Sequence, residues 1–371
     1  MKIVFLSFYS GLWHRGMETV VDELATRLAK NHEILVIQTK SRNTPQKNYQ
    51  IKRIQVSIDL STINDQGLSR KVFLDHYSWQ VGKFTLKSLE IVRKFKPEIV
   101  IPANGGWQSL IMKGYCWQSK AKLVLMGQAG LGWDDRWNLL LKPDLFVALS
   151  KRNASWARKY SWRGQKIITI PNGVDLNKFK IQTTKGKAGI RDSKVKKRLL
   201  KLEKPVILCI AGREHFKRVR ETIDAVAGLP KGSLLLACES SAYDELGREK
   251  LGKRFLREKF THQEMPAVFQ KADLFTLVSE SSEAFGVAYL EAMACGLPVV
   301  ATDDELRKEI VGKAGLFIKN PNNTQEYVKI IKQALKHKWG SLPRKQAEKF
   351  SWEKIALAYE KAFNDLYEKN N

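Results

Sequence analysis

Acidic residues are scarce in this chain: 38 Asp and Glu stand against 64 Lys and Arg, for a net charge of +26 at pH 7. Such an imbalance points to an anionic partner. Only four cysteines occur, Cys116, Cys209, Cys238 and Cys295, and their wide spacing excludes a local metal knuckle or a redox CxxC pair. Cys209, Cys238 and Cys295 sit in apolar surroundings and read as reduced core residues, which places the expected compartment in the cytosol. No apolar run approaches the ~20 residues that a membrane-spanning helix needs. The run Ile3 to Phe8 is shorter than the ~7–15 residues of a signal-peptide core and reads as a first β-strand. There is no Asp-x-Asp pair and no GxGxxG, so neither that metal site nor that dinucleotide fingerprint is available.

What is present is globular. A chain of 371 residues with 43% hydrophobic and 10% aromatic content can form two domains, each with its own core. The charge is uneven: Lys151 to Leu200 holds fifteen basic and two acidic residues. The Lys and Arg outside that window read as a solvated surface. Strand-like and helix-like stretches alternate from the start: Lys2 to Phe8, the amphipathic Thr19 to Lys30, then Ile34 to Gln38. A strand at Ile51 to Leu60 and a helix over Leu68 to Phe95 follow. Further strands are expected at Ile99 to Pro102, Leu123 to Met126, Leu145 to Leu149 and Ile167 to Ile170. This order predicts α/β layering with parallel sheets, whose ligands bind at the carboxyl ends of the strands.

The stretch Asp273 to Thr302 reads as strand, polar loop, helix from near Phe285, and a second strand at Pro298 to Ala301. Glu283 and Glu291 bracket the helix start, up to ~12 Å apart at helical rise. The free backbone N–H groups around Phe285, Gly286 and Val287 favour an anion between them. Gly286 leaves no side chain to block a ligand from the backbone. On spacing alone an ordinary αβ unit with a solvated Glu283 fits better.

The run SSEAFGVAYLEAMACGLPVVAT, Ser281 to Thr302, resembles the E-x7-E signature of the family 4 retaining glycosyltransferases nearly residue for residue. Ile170-Pro171-Asn172-Gly173-Val174-Asp175 resembles the family's hinge motif, and Gly212-Arg213 with Lys217 its diphosphate-gripping pair. Gly16-Met17-Glu18 is similar to the family's loop into the first helix, with Arg15 replacing one glycine. Lining up the strands puts Gln128 where the family has a sugar-contacting histidine; an amide can bond a hydroxyl but cannot exchange a proton near neutral pH. Glu239-Ser240-Ser241 stands where the family usually has a glycine, which leaves base recognition unread. Asp134 and Asp135 fit either the acceptor side or a helix cap. His14 could approach the sugar or stay an exposed loop residue.

The resemblance implies a GT-B fold: two facing doubly wound Rossmann-like domains with a C-terminal helix crossing back to the first. The expected domains are 1–172 on the acceptor side, 173–350 binding the nucleotide-sugar, and 351–371 as the returning helix. It implies a retaining transferase moving a hexose from a UDP- or GDP-sugar to a glycan or glycolipid, with no metal or other cofactor. Glu283, Arg213 and Lys217 are the expected catalytic residues. Gly16, Gln128, Arg213, Lys217, Glu283, Ala284, Phe285, Gly286, Val287 and Glu291 are expected to bind the donor. Trp156, Tyr160 and Trp162, interleaved with Arg152, Arg158, Lys159 and Arg163, fit an interfacial patch for an anionic membrane or a helix burying its aromatics. Partners are then the donor, a glycan or lipid-linked acceptor and the inner membrane face, with nucleic acid disfavoured. The rival is a catalytically silent GT-B scaffold that binds anionic glycan, membrane or nucleic acid. A phosphorylase or epimerase is a further rival, though no context marks a pyridoxal-phosphate lysine.

Overall fold

Alternate residues of the first strand, β1 (Lys2–Ser7), face opposite sides of a sheet, and both sides are apolar. Ile3 and Phe5 join one core cluster with Val20 and Leu24; Val4 and Leu6 join another with Val81, Phe84, Met112 and Leu139. A strand buried on both faces needs helices on both, and the chain supplies them. The structure is a computed structural model describing residues 1–10, 12, 16–39, 46–56, 73–180, 193–212 and 215–368. It divides into two compact units, Met1–Asn172 with Trp352–Asn371, and Gly173–Ser351.

In the first unit β1 is joined by β2 (Glu33–Thr39), β3 (Gln50–Ile54), β4 (Ile99–Pro102), β5 (Lys122–Gly127), β6 (Leu145–Ala148) and β7 (Ile167–Thr169). All pair in parallel, in the order β3-β2-β1-β4-β5-β6-β7. The helix Gly16–Leu28 covers one face together with Trp352–Tyr367, whose Ile355, Tyr359 and Phe363 complete that core cluster. An Arg27–Glu353 ion pair at 2.9 Å joins the two helices at the surface. The second unit holds β8 (Val206–Ile210), β9 (Ser233–Ala237), β10 (Phe255–Glu258), β11 (Leu274–Leu277), β12 (Val299–Thr302) and β13 (Gly315–Ile318), parallel in the order β10-β9-β8-β11-β12-β13.

Several boundaries differ from expectation. The helix expected over Leu68 to Phe95 begins at His76, because the Asp75 carboxylate accepts the Ser78 N–H at 3.1 Å and caps it; 57–72 lie outside the described residues. The loop expected after β5 contains a helix, Trp133–Leu140, with Asp134 and Asp135 in its acidic first turn. The expected aromatic patch divides. Trp156 packs partly buried against the core, whereas Tyr160 and Trp162 are exposed, with Arg136 over the first ring at 4.8 Å and Lys142 over the second at 4.0 Å. All four cysteines are free and buried. Among the described residues, no helix is long and apolar enough to cross a membrane.

Candidate active site

β8 and β11 pair side by side, although β9 and β10 come between them in the sequence. From β8 the chain moves on to β9 on one side; from β11 it moves on to β12 on the other. Adjacent strands whose chains leave in opposite directions open a crevice at their carboxyl ends, where such sheets bind ligands. Ala211 and Gly212 lead out of β8 at that end.

The segment after β8 passes through a short 3₁₀ turn, His215–Lys217. The Phe216 carbonyl accepts the Glu280 N–H at 2.8 Å, strapping this turn to the loop after β11. That strap brings Lys217 Nζ onto Glu283 Oε2 as an ion pair, with the two side chains 17% and 12% exposed. The loop itself is held from beneath by Arg307, which is fully buried. Its guanidinium donates to Asp304 Oδ2, Ser279 Oγ and the Glu280 carbonyl, each at 2.7 Å. A buried charge so engaged fixes the loop geometry in a way a neutral side chain could not.

The helix after this loop is Val287–Ala294, later than the start near Phe285 that the sequence predicts. Gly286 causes the shift. It holds φ 87°, and a Cβ there would fall 2.6 Å from the Tyr289 ring, so both conformation and space require glycine. Ala284 and Phe285 therefore belong to the loop, and the Phe285 ring is buried, leaving only its backbone for a ligand. The Tyr289 N–H donates to the Gly286 carbonyl at 3.1 Å. The N–H groups of Val287 and Ala288 have no carbonyl one turn earlier within the helix, and they form its positive end.

Glu291 lies on the same helix, where Oε1 is 3.1 Å from His262 Nε2. Lys178 Nζ lies 2.7 Å from the other ring nitrogen, Nδ1. An ammonium can only donate, so Nδ1 accepts and the Nε2–H points to Glu291. The Phe179 ring packs on His262 at 5.7 Å. Arg344 Nη1 donates to the carbonyls of Phe179 at 2.6 Å and Ala294 at 2.7 Å, tying this segment to the end of the Glu291 helix.

Lys217, Glu283, Gly286, Val287 and Glu291 are thus gathered around the β8 and β11 loops. Arg213 lies outside the described residues, as do His14 and Arg15. Gly16 and Gln128 belong to the other unit. Gly16 starts the first helix, and among the described residues no atom outside its chain neighbours and its own helix backbone lies within 4 Å of where its Cβ would stand. Gln128 exchanges two 3.0 Å hydrogen bonds with Asn172, each amide donating to the other. Sequence reasoning missed Lys178, His262, Arg307 and Arg344. Arg307 alone left a trace, an arginine between the apolar Leu306 and Ile310. Among the described residues, no group of three or more His, Cys, Asp or Glu could hold a metal ion.

Two family models match: Glycosyltransferase Family 4 over residues 14–178 and Glycosyl transferases group 1 over 190–351. An uncharacterised glycosyltransferase of Methanocaldococcus jannaschii is 26% identical over 244 residues, 61% of this chain and 59% of its own length. The chain spans only 30% of the length of two other curated relatives. Sucrose-phosphate synthase from Thermosynechococcus elongatus superposes with a TM-score of 0.77 at 19% identity, covering 99% of both chains. Anabaena HepE, solved in complex with UDP-glucose, gives 0.74 at 20% identity, covering 98% of this chain and 100% of its own. Those likenesses carry the fold, which is GT-B, and the matched models carry the family: the chain belongs to the group 1 glycosyl transferases of family 4.

Proposed function

We propose that the protein is a retaining glycosyltransferase that moves a hexose from a UDP- or GDP-sugar to a glycan or glycolipid acceptor. The observation that supports this most is the Lys217–Glu283 ion pair beside the N-terminal end of the Val287–Ala294 helix, with Glu291 further along that helix. Glu291, oriented by His262, accepts hydrogen bonds from the ribose hydroxyls. The N–H groups of Val287 and Ala288 receive a diphosphate oxygen. Lys217 and Arg213 balance the charge that grows on the leaving diphosphate, and Glu283 orients the hexose. UDP-glucose bound to HepE agrees with a donor of this class.

The test is release of nucleoside diphosphate from a panel of UDP- and GDP-sugars by the full chain. Glu291→Ala should raise the donor KM, and Lys217→Ala should lower kcat by roughly 10²–10³-fold. No release from any donor would overturn the reading and favour a silent scaffold.

A further inference from the structure

The helix layers on the two faces of the first unit's sheet differ in sign of charge. Gly16–Leu28 and Trp352–Tyr367, which cover the face of Ile3 and Phe5, hold three Lys and Arg against six Asp and Glu. The helices on the face of Val4 and Leu6 are His76–Phe95, Gly106–Ser119, Trp133–Leu140 and Lys151–Tyr160, and they hold ten against three. Of those three acids, Asp135 is buried and Glu90 is paired with Lys94 at 2.7 Å.

The basic layer is also the apolar one. Among the described residues, seven large apolar side chains on its four helices are exposed, and the exposed Trp162 follows the last of them. The acidic layer exposes only Leu357 of that kind. Trp117 is 83% exposed, far beyond what an indole gains from water. Rings and cations are interleaved at contact distance. The Arg136 guanidinium lies 4.8 Å from the Tyr160 ring centre and 5.9 Å from that of Trp133, and Lys142 Nζ lies 4.0 Å from that of Trp162. The Trp162 Nε1–H donates to the Leu140 carbonyl at 3.2 Å, which fixes the indole beside an exposed leucine.

Indoles and phenols favour the headgroup level of a bilayer, where Lys and Arg meet lipid phosphates while their stems lie on apolar surface. Two other occupants fit less well. A nucleic-acid base would stack on an open ring, and Tyr160 and Trp162 each already have a cation over one face. A second copy docked by the same face would set ten cations against ten.

We propose that this four-helix face docks the protein on a bilayer containing anionic phospholipid. Trp117, Tyr160 and Trp162 enter the headgroup layer, and Arg158 and Lys159 meet the phosphates. This docking needs neither donor nor acceptor and stands apart from the transferase reading.

The experiment floats the full chain, without nucleotide and at low salt, with vesicles of phosphatidylcholine alone or with about 30 mol% phosphatidylglycerol. The anionic vesicles should bind at least ~10-fold more tightly, and Trp117→Ser should weaken that binding about tenfold. Arg158→Glu with Lys159→Glu should weaken it ~30-fold or more. Lys354→Glu with Lys361→Glu, the same charge change on the acidic layer, should weaken it less than about threefold. All five positions are exposed, so the variants should fold. Equal binding to both vesicles, equal losses in the two charge variants, or no loss with Trp117→Ser would each overturn the proposal. Tighter binding of a single-stranded oligonucleotide than of anionic vesicles, lost with Arg158→Glu and Lys159→Glu, would overturn it in favour of nucleic acid. A lipid-free dimer lost with Trp117→Ser would overturn it in favour of a second copy.

Discussion

Gly106 and Gly286 hold matching places in two sheets of the same topology. Each follows the strand that pairs with its sheet's first strand in the sequence, β4 next to β1 and β11 next to β8, and each has a left-handed backbone, φ 51° and 87°. Each also makes room for an aromatic ring, Phe73 in one unit and Tyr289 in the other. From there the units diverge. One places carboxylates against rings; the other pairs Lys217 with Glu283 and His262 with Glu291. The same backbone device therefore supports two chemistries, and side chains on neighbouring loops decide which. The units differ at their surfaces as well: among the described residues, the large exposed aromatics, Trp79, Trp117, Trp133, Tyr160 and Trp162, all lie in the first.

The largest expected effect tests whether the second unit alone depends on a buried cation. Arg307→Ala should cost about 3–5 kcal/mol in urea unfolding, since it strands Asp304 and Ser279. A loss below about 1 kcal/mol would show that the loop stands without it. Gly106→Ala and Gly286→Ala should each cost about 1–3 kcal/mol, which thermal unfolding would detect. If only one is destabilised, the two glycines are not equivalent. His262→Ala should raise the donor KM about tenfold, or ~1.4 kcal/mol, with little change in kcat. The smallest effect concerns Asp135, whose raised pKa means the folded state holds its proton more tightly. Its contribution is full below the unfolded carboxylate value of about 4 and is lost as pH rises toward the folded value. Asp135→Asn should remove that decline from the pH dependence of the unfolding midpoint.

The inner strands were legible because they are short apolar runs buried on both faces, as in Ile3 to Leu6 or Val299 to Ala301. The helix Asp244–Leu251 is absent from the sequence reading, and a poor helix former interrupts it at Gly247. It is glycine because the Phe255 ring lies where its Cβ would be. Glu283, Gly286 and Glu291 were legible through local spacing and the family resemblance. The partners of the two acids were not: Lys217 reaches Glu283 only because β8 and β11 are neighbours, and Lys178 reaches His262 across 84 residues.

The helix Trp352–Tyr367 completes the core of the first unit, yet it is encoded after the whole of the second. During synthesis, Ile3 and Phe5 leave the ribosome hundreds of residues before Tyr359 and Phe363 can cover them. The intervening unit, continuous from Gly173 to Ser351, has no such wait. The unit whose synthesis begins first therefore receives the last of its core residues only after the other has been made in full.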